Sequence, residues 1–468
     1  MCFVVSIIGT LGALMIPTIA QERHVSLETA QWLLTVTLLS GAVSAPIFGR
    51  MADGPKRRQV ILILLGLVLF GSFLAAVATS FPVLLAGRLL QGLGQSLVPL
   101  AIAVARDRMP PDKLRSGVAV LSITTAAGAG LGYPVTGFIA EHINYQAGFW
   151  LAFAVTGLAL AMAWQMVPQP NANTPAHKLD FVGAVLLSIS LGCLLLAISQ
   201  GEIWGWGSLR VLVLLASAFV AGVAWTRYEL SVDHPLVELR LISRPTVLAA
   251  NLAALLMGMA LYGMSSLVNR YLQTPASAGY GFDSSLVTVG LTLLPLSFGS
   301  VAASRISTPL TTRFGPGKVV AGGALLVGLD MAWLSVMRAE RWDFALGILI
   351  LGIGVGLTFA MMPALIIRSV PMHETGSATG LNQVLRLVGG SIGSAASIAI
   401  LGRHHLAGGR IPTEGGYTTA FLAGAVACAL AAGICLMLIR EKPALGGAPA
   451  RTGRRDSVPP SMHAERTS

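Results

Sequence analysis

Arg88 lies in "GRLLQGLGQSLVP" and Arg386 in "TGLNQVLRLVGGSIGSA", each inside a long apolar stretch. A guanidinium in hydrocarbon is expensive unless it faces a wet cavity or a polar partner. Arg88, Gln91 and Gln95 recur at i, i+3 and i+7, which places them on one stripe of a helix. Asn382, Gln383 and Arg386 repeat the arrangement near the other end of the chain. The chemistry available to such stripes is charge compensation and ligand binding, not bond cleavage. Arg88 stands about 9 Å from the nearer end of its block, at the helical rise per residue. A snorkelling side chain therefore remains open beside the cavity reading. Arg386 stands about 14 Å in, near the midplane. It serves either function or an obligate hydrogen-bond network. Asp330 is the sole acid deep inside a predicted helix. Tyr262, Ser265, Ser266 and Asn269 give a further helix one polar face, which interhelical hydrogen bonding alone would explain.

The elements that carry these residues are set by hydrophobicity. The 468 residues are 54% hydrophobic and 11% charged, with a mean hydropathy of +0.75. A soluble domain carries about 25% charged residues. Here the apolar residues form blocks such as "QVILILLGLVLFGSFLAAVAT", long enough to span the hydrocarbon of a bilayer. Fourteen blocks are expected, at 3–20, 28–48, 59–79, 82–105, 115–139, 146–167, 180–199, 208–227, 246–269, 285–304, 317–337, 343–367, 377–401 and 418–439. The fold class is therefore all-α, a polytopic membrane protein. The first block begins almost at Met1, so an earlier natural start is expected.

The net charge of +11 would suit nucleic acid, but its placement argues for a membrane instead. With a cytoplasmic N-terminus, 22 of the 31 Lys and Arg fall on the cytoplasmic side and 7 outside. That asymmetry is the positive-inside rule. Lys56 and Asp112 are then cytoplasmic, His404 is external, and an even helix count puts both termini in the cytoplasm. Arg23 reads as a solvated loop charge. Cys2, Cys193, Cys428 and Cys435 lack metal-ligand spacing and read as packing residues.

The blocks divide into residues 1–167, a six-helix bundle; 168–245, a linker with two further helices; and 246–440, a second six-helix bundle. Residues 441–468 form a polar tail expected to be disordered. "PIFGRMADGPKRRQV" and "STPLTTRFGPGKVV" follow the second helix of each bundle and echo one another. Parallel repeats of this kind are a plan of secondary transporters.

"GRMADGPKRR" resembles the loop motif of the major facilitator superfamily, Gly-x-x-x-Asp-x-x-x-Arg-Arg between helices two and three. "GRLLQGLGQSLVP" resembles its helix-four motif. "GAGLGYPVTG" resembles the helix-five antiporter motif, here Gly128, Gly132, Pro134 and Gly137, with Tyr133 separating the usual Gly-Pro pair. "GEIWGWGS", "PLVELRLISRP" and "TGLNQVLRLVGGSIGSA" are similar to pieces of the fourteen-helix drug:proton antiporter branch, particularly its actinobacterial members. The resemblance covers nearly all of residues 8–440.

It implies a gating motif of Gly49, Asp53, Arg57 and Arg58, with Asp53 latching the closed cytoplasmic side against a helix N-terminus. Arg106 or Arg108 is a partner for that carboxylate. The alternative is a mere polar loop residue. The basic residues Lys56, Arg57 and Arg58 are already explained by topology. The resemblance further implies that Arg88 supports proton coupling, and that Tyr262, Ser265 and Asn269 line the substrate wall. Many relatives carry an Asp in helix one, where this chain has Ile8. Asp330 is then either the proton carrier or a structural acid paired with a neighbouring polar group.

Three classes of function compete. The leading one is proton-coupled efflux of a small amphipathic drug-like molecule or metabolite by alternating access, in the plasma (inner) membrane of a bacterium. An ion-coupled or facilitated transporter of an endogenous metabolite is the alternative. A membrane enzyme is the remote reading, because no metal set, nucleophile elbow or P-loop occurs; a receptor or channel explains the duplication less well. The expected partners are a small-molecule substrate, protons and the lipid bilayer, with no nucleic acid, no cofactor and no metal, in a monomer.

Overall fold

The computed structural model describes residues 1–52, 54, 56–167, 180–233, 235–371, 374–404 and 411–439. Asp53, the connector 168–179, His405 and the tail from 440 onward lie outside these residues.

The described elements are all helices, as the hydropathy pattern requires. The first group comprises α1 (Cys2–Leu14), α2 (Ile16–Glu22), α3 (Leu27–Ala52), α4 (Arg57–Ala76), α5 (Phe81–Gly92), α6 (Leu97–Arg108), α7 (Pro111–His142) and α8 (Tyr145–Met166). A pair follows, α9 (Phe181–Trp204) and α10 (Leu209–Ser231), then a short α11 (Leu239–Ile242). The remainder comprises α12 (Pro245–Gln273), α13 (Leu286–Leu293), α14 (Pro295–Phe314), α15 (Pro316–Leu334), α16 (Arg341–Ser369), α17 (Thr375–Gly402) and α18 (Glu414–Leu438).

Among the described residues, twelve spans are long and apolar enough to cross a membrane. One of them joins α5 to α6 through a 3-10 turn at Leu93–Ser96, and another joins α13 to α14. The two remaining expected blocks fall on α1, which is shorter, and on the 32-residue α7.

Local sequence sets the helix boundaries. Asn144, Asp180 and Ser208 accept hydrogen bonds from the backbone amides of Ala147, Gly183 and Val211, and so cap α8, α9 and α10. Glu340 and Asp343 form a capping box at the start of α16. The echoed loop "RFGPGK" is a one-residue link: Gly315, at φ 84°, reverses the chain, and Pro316 opens α15.

Small residues let the helices pack closely. α12 lies on α17, α14 on α16, and α15 on α18; α4 packs on α5 and α8, and α1 on α7. Two seams join the early helices to the late ones. In the first, α3 meets α17; in the second, α7 meets α13, α14 and α16. The pair α9–α10 covers the first seam from outside. Leu187 and Leu191 of α9 join Ala42 and Ala45 of α3 and Leu381 and Val384 of α17 in one cluster. α10 is outermost, with Leu209 and Phe219 more than 70% exposed. That apolar exterior suits lipid.

Candidate functional site

The polar stripe of α5 is buried and hydrogen-bonded to its neighbours, although Arg88 Nη2 has no partner among the described residues. Arg88 is 0% exposed. Its Nη1 donates to the Ile8 carbonyl at 3.1 Å and to Gln91 Oε1 at 2.8 Å, and its Nε donates to the Leu33 carbonyl at 3.4 Å. Gln91 Nε2 donates in turn to Ser72 Oγ at 3.0 Å. The guanidinium lies 5.9 Å from the centroid of the Phe149 ring. The network therefore ties α5 to α1, α3, α4 and α8. Arg88 does not snorkel, and no carboxylate answers it among the described residues. Ile8, at the place where the resemblance leads one to look for an acid, contributes only its carbonyl.

The stripe of α17 borders a small cleft, lined by Val98, Pro99 and Ile102 of α6, by Phe359, Met362 and Pro363 of α16, and by Thr379, Asn382, Gln383 and Arg386 of α17. The Arg386 guanidinium stacks 4.7 Å from the centroid of Phe359, and its Nη2 donates to Gln383 Oε1. Gln383 Nε2 donates to Gln95 Oε1 at 3.3 Å. Gln95 lies in the 3-10 turn between α5 and α6, so this bond joins the two sequence-distant stripes at the cleft. Asn382 Nδ2 is held by the Ala250 carbonyl and Asn251 Oδ1 of α12, at 3.1 and 3.0 Å.

Close backbone approach occurs in both seams. At the end that bears Lys56, Arg57 and Arg58, a methyl on Gly49 would lie 2.7 Å from the Gly376 carbonyl oxygen, and one on Gly380 would lie 2.9 Å from that of Ala45. Beside this contact Arg50 of α3 pairs with Glu374, immediately before α17, at 2.7 Å and almost fully buried. At the opposite end, a methyl on Gly137 would lie 2.7 Å from the Leu286 carbonyl oxygen. One on Gly290 would lie 2.8 Å from that of Tyr133. Glu141 Oε2 accepts from the Val287 amide at 3.0 Å.

Of the expected gate residues, Asp53 lies outside the described residues. Arg57 reaches the Ala103 carbonyl of α6 at 3.5 Å, and Arg58 the Trp164 carbonyl of α8 at 2.8 Å. The ion pair of Arg50 and Glu374 was missed by sequence reasoning. Arg50 stands within the motif loop and Glu374 just before an apolar block, but 324 residues separate them. Nothing local signals such a pairing. Arg23 is a correction: it is not merely solvated but donates to Tyr145 Oη and to the Thr79 and Ala78 carbonyls. Those contacts pin the end of α2.

The helix-five motif is divided between two partners. Gly128 and Gly132 abut Ser6 and Thr10 of α1, whereas Gly137 abuts α13. Of the substrate-wall candidates, Tyr262 packs on Gly390, about one turn beyond Arg386. Ser265 donates to the Leu261 carbonyl of its own helix, and Asn269 Oδ1 accepts from Gln273 of the same helix. None of the three lines the cleft.

Asp330 is buried on α15, beside Gly347 of α16 and two residues from Gly328, which packs on Cys428 of α18. Neither carboxylate oxygen has a hydrogen-bond partner among the described residues. Gly347 lies twelve residues, about 18 Å of helix, from Phe359, so Asp330 stands away from the cleft. No disulfide joins the four cysteines, and no group of three or more His, Cys, Asp or Glu gathers for a metal among the described residues.

Known proteins match this architecture. The profile of the Major Facilitator Superfamily matches residues 1–394. The tetracenomycin C resistance and export protein of Streptomyces glaucescens is 30% identical over 84% of this chain and 72% of its own length. The lincomycin resistance protein of Bacillus subtilis is 26% identical over 82% of this chain and 80% of its own length. Among solved structures, the human organic anion transporter MFSD10 superposes with a TM-score of 0.61 over 93% of this chain and 96% of its own, at 16% identity. At that identity the likeness is one of fold alone.

Proposed function

We propose that this chain, which belongs to the Major Facilitator Superfamily, exports a small amphipathic molecule by alternating access. The observation that carries the reading is the cleft at Gln383 and Arg386, beside Gln95 on the joint between early and late helices, with a close glycine contact in each seam. Two seams that open in turn would expose one cleft to either side. The names of the relatives, which speak of tetracenomycin C export and lincomycin resistance, support a natural product or drug as cargo. The setting is a bacterial plasma membrane.

In this reading α1 and α7 complete fourteen crossings. Residues 1–167 and 246–440 form the moving bundles, 168–245 carries the added pair, and the chain works as a monomer. The basic loop with Lys56 is cytoplasmic. The gate there is Gly49 with Arg50 and Glu374, to which Asp53, Arg57 and Arg58 add. Gly128, Gly132, Pro134 and Gly137 form the bend and sliding face. Gln91 and Arg88 brace the early bundle, and Tyr262, Ser265 and Asn269 stiffen the late one.

Protons drive the exchange. A buried acid without a hydrogen-bond partner calls for an explanation, and this supports Asp330 as the carrier, acting on the cleft through the shared helix α16. Purified protein in vesicles with an imposed pH gradient tests both parts. Wild type is expected to move dye against its gradient, while Asp330→Asn binds dye but loses the pH response. Wild-type rates in that variant would leave facilitated transport or another ion as the better account. Surface labelling of a cysteine at Lys56 from outside intact cells, without labelling at His404, would reverse the topology.

A further inference from the structure

We propose that the cleft selects an organic anion: a flat apolar body bearing one carboxylate or acidic phenol, seated with that group against Arg386. The inference rests on the transport reading and narrows its substrate class.

The argument is a charge census. Of the residues that line the cleft, Arg386 alone is charged. None of the described acids lines the cleft. Glu374 pairs with Arg50 in one seam, and Glu141 accepts from the Val287 amide in the other. Asp330 faces the layer of α15, α16 and α18. Asp180 and Glu229 sit at the foot of α9 and α10, accepting from the amides of Gly183 and Val237. Arg88, buried in the early bundle, has no carboxylate partner among the described residues, because Ile8 offers only its carbonyl. An organic cation would therefore meet like charge in a site of low dielectric, where repulsion is little screened.

A cation could still bind on an aromatic face. The face of Phe359 is already covered by the Arg386 guanidinium. An anion meets the opposite situation. Arginine offers five N–H donors in a planar fork suited to carboxylate, and Gln383 takes a bond from one nitrogen, Nη2. Val98, Ile102 and Met362 supply the apolar walls.

Three xanthene dyes share one body and differ in charge: fluorescein, anionic; a rhodol, near neutral; and rhodamine 6G, cationic. Binding is read by fluorescence anisotropy and transport by efflux from vesicles of phosphatidylcholine alone, which removes anionic headgroups as competitors. Wild type is expected to bind fluorescein at least about tenfold more tightly than rhodamine 6G. Arg386→Gln should abolish that preference, Arg386→Lys should keep most of it, and Arg227→Gln, on the exposed face of α10, should leave it intact. Equal or tighter binding of rhodamine 6G by wild type overturns the inference, as does an unchanged ratio in Arg386→Gln or the absence of binding by all three dyes. Anion-selective binding without efflux would sink the export reading and leave the charge selection standing. Efflux of rhodol and rhodamine 6G but not fluorescein would do the reverse.

Discussion

Arg88 and Arg386 are written in nearly the same way and do different work. Each lies in an apolar block, Arg88 fully buried and Arg386 half-buried, and each bonds a glutamine three residues away. Around Arg88 the helices close: main-chain carbonyls from α1 and α3 and the Gln91 side chain hold Nε and Nη1, Nη2 is buried without a partner, and Gln91 hands on to Ser72. Around Arg386 they do not. α6 and α16 stand back, Phe359 covers one face of the guanidinium, and the rest borders the cleft. The difference teaches that a buried arginine acts as a brace where protein surrounds it and as a recognition group where one side is open.

The comparison can be broken at its strongest point. Arg88→Ala is expected to leave the Ile8 carbonyl and Gln91 unsatisfied and to cost about 3 kcal/mol. It should show as a large drop in melting temperature in detergent. Arg386→Ala should lower stability by only about 1 kcal/mol, the scale of its cation–π contact, yet cut transport by roughly tenfold or more. If both variants melt alike, the distinction between brace and recognition group is wrong.

The two seams offer smaller tests. Gly137→Ala places a methyl 2.7 Å from the Leu286 carbonyl oxygen. It should hold that seam apart and slow transport by several-fold, about 1 kcal/mol on the limiting step, with an unchanged melting curve. Wild-type turnover would mean the seam has slack. Glu374→Gln keeps a hydrogen-bond acceptor for Arg50 but removes the charge. A cysteine at Thr379, on the cleft wall, should then react about two- to fivefold faster with a maleimide added from the side of the basic loop. Unaltered reactivity would show that the glycine contacts alone close that end. Ser265→Ala should change transport least, by less than about twofold, since its hydroxyl is spent on its own helix. A strong effect would return α12 to the substrate wall.

The motif loop shows how far sequence reading reached. It marked Gly49 as part of a gate, and the close approach of Gly49 to Gly376 gives that residue a physical task. It passed over Arg50, the next residue, because a basic side chain at a helix end is already explained by topology. Arg23 was misjudged for the same reason: its acceptors are carbonyls and a tyrosine hydroxyl from distant turns, and carbonyls leave no trace in side-chain patterns. The polar face of α12 was legible as a face, but not its direction, because a hydroxyl can turn back on its own helix as readily as outward.

The sequence by itself determined that this chain is a bundle of membrane helices and where most of them run. A helix needs about 20 apolar residues to cross a bilayer and satisfies its backbone hydrogen bonds within its own segment, so both constraints are local and can be read along the chain. It also determined the family, through the order and spacing of short motifs. Only the tertiary structure decided which arginine borders open space, that Gln95 meets Gln383 across 288 residues, and that Glu374 answers Arg50. Those outcomes depend on how far apart packed helices come to rest, which is fixed by small residues on several helices at once and by no single segment.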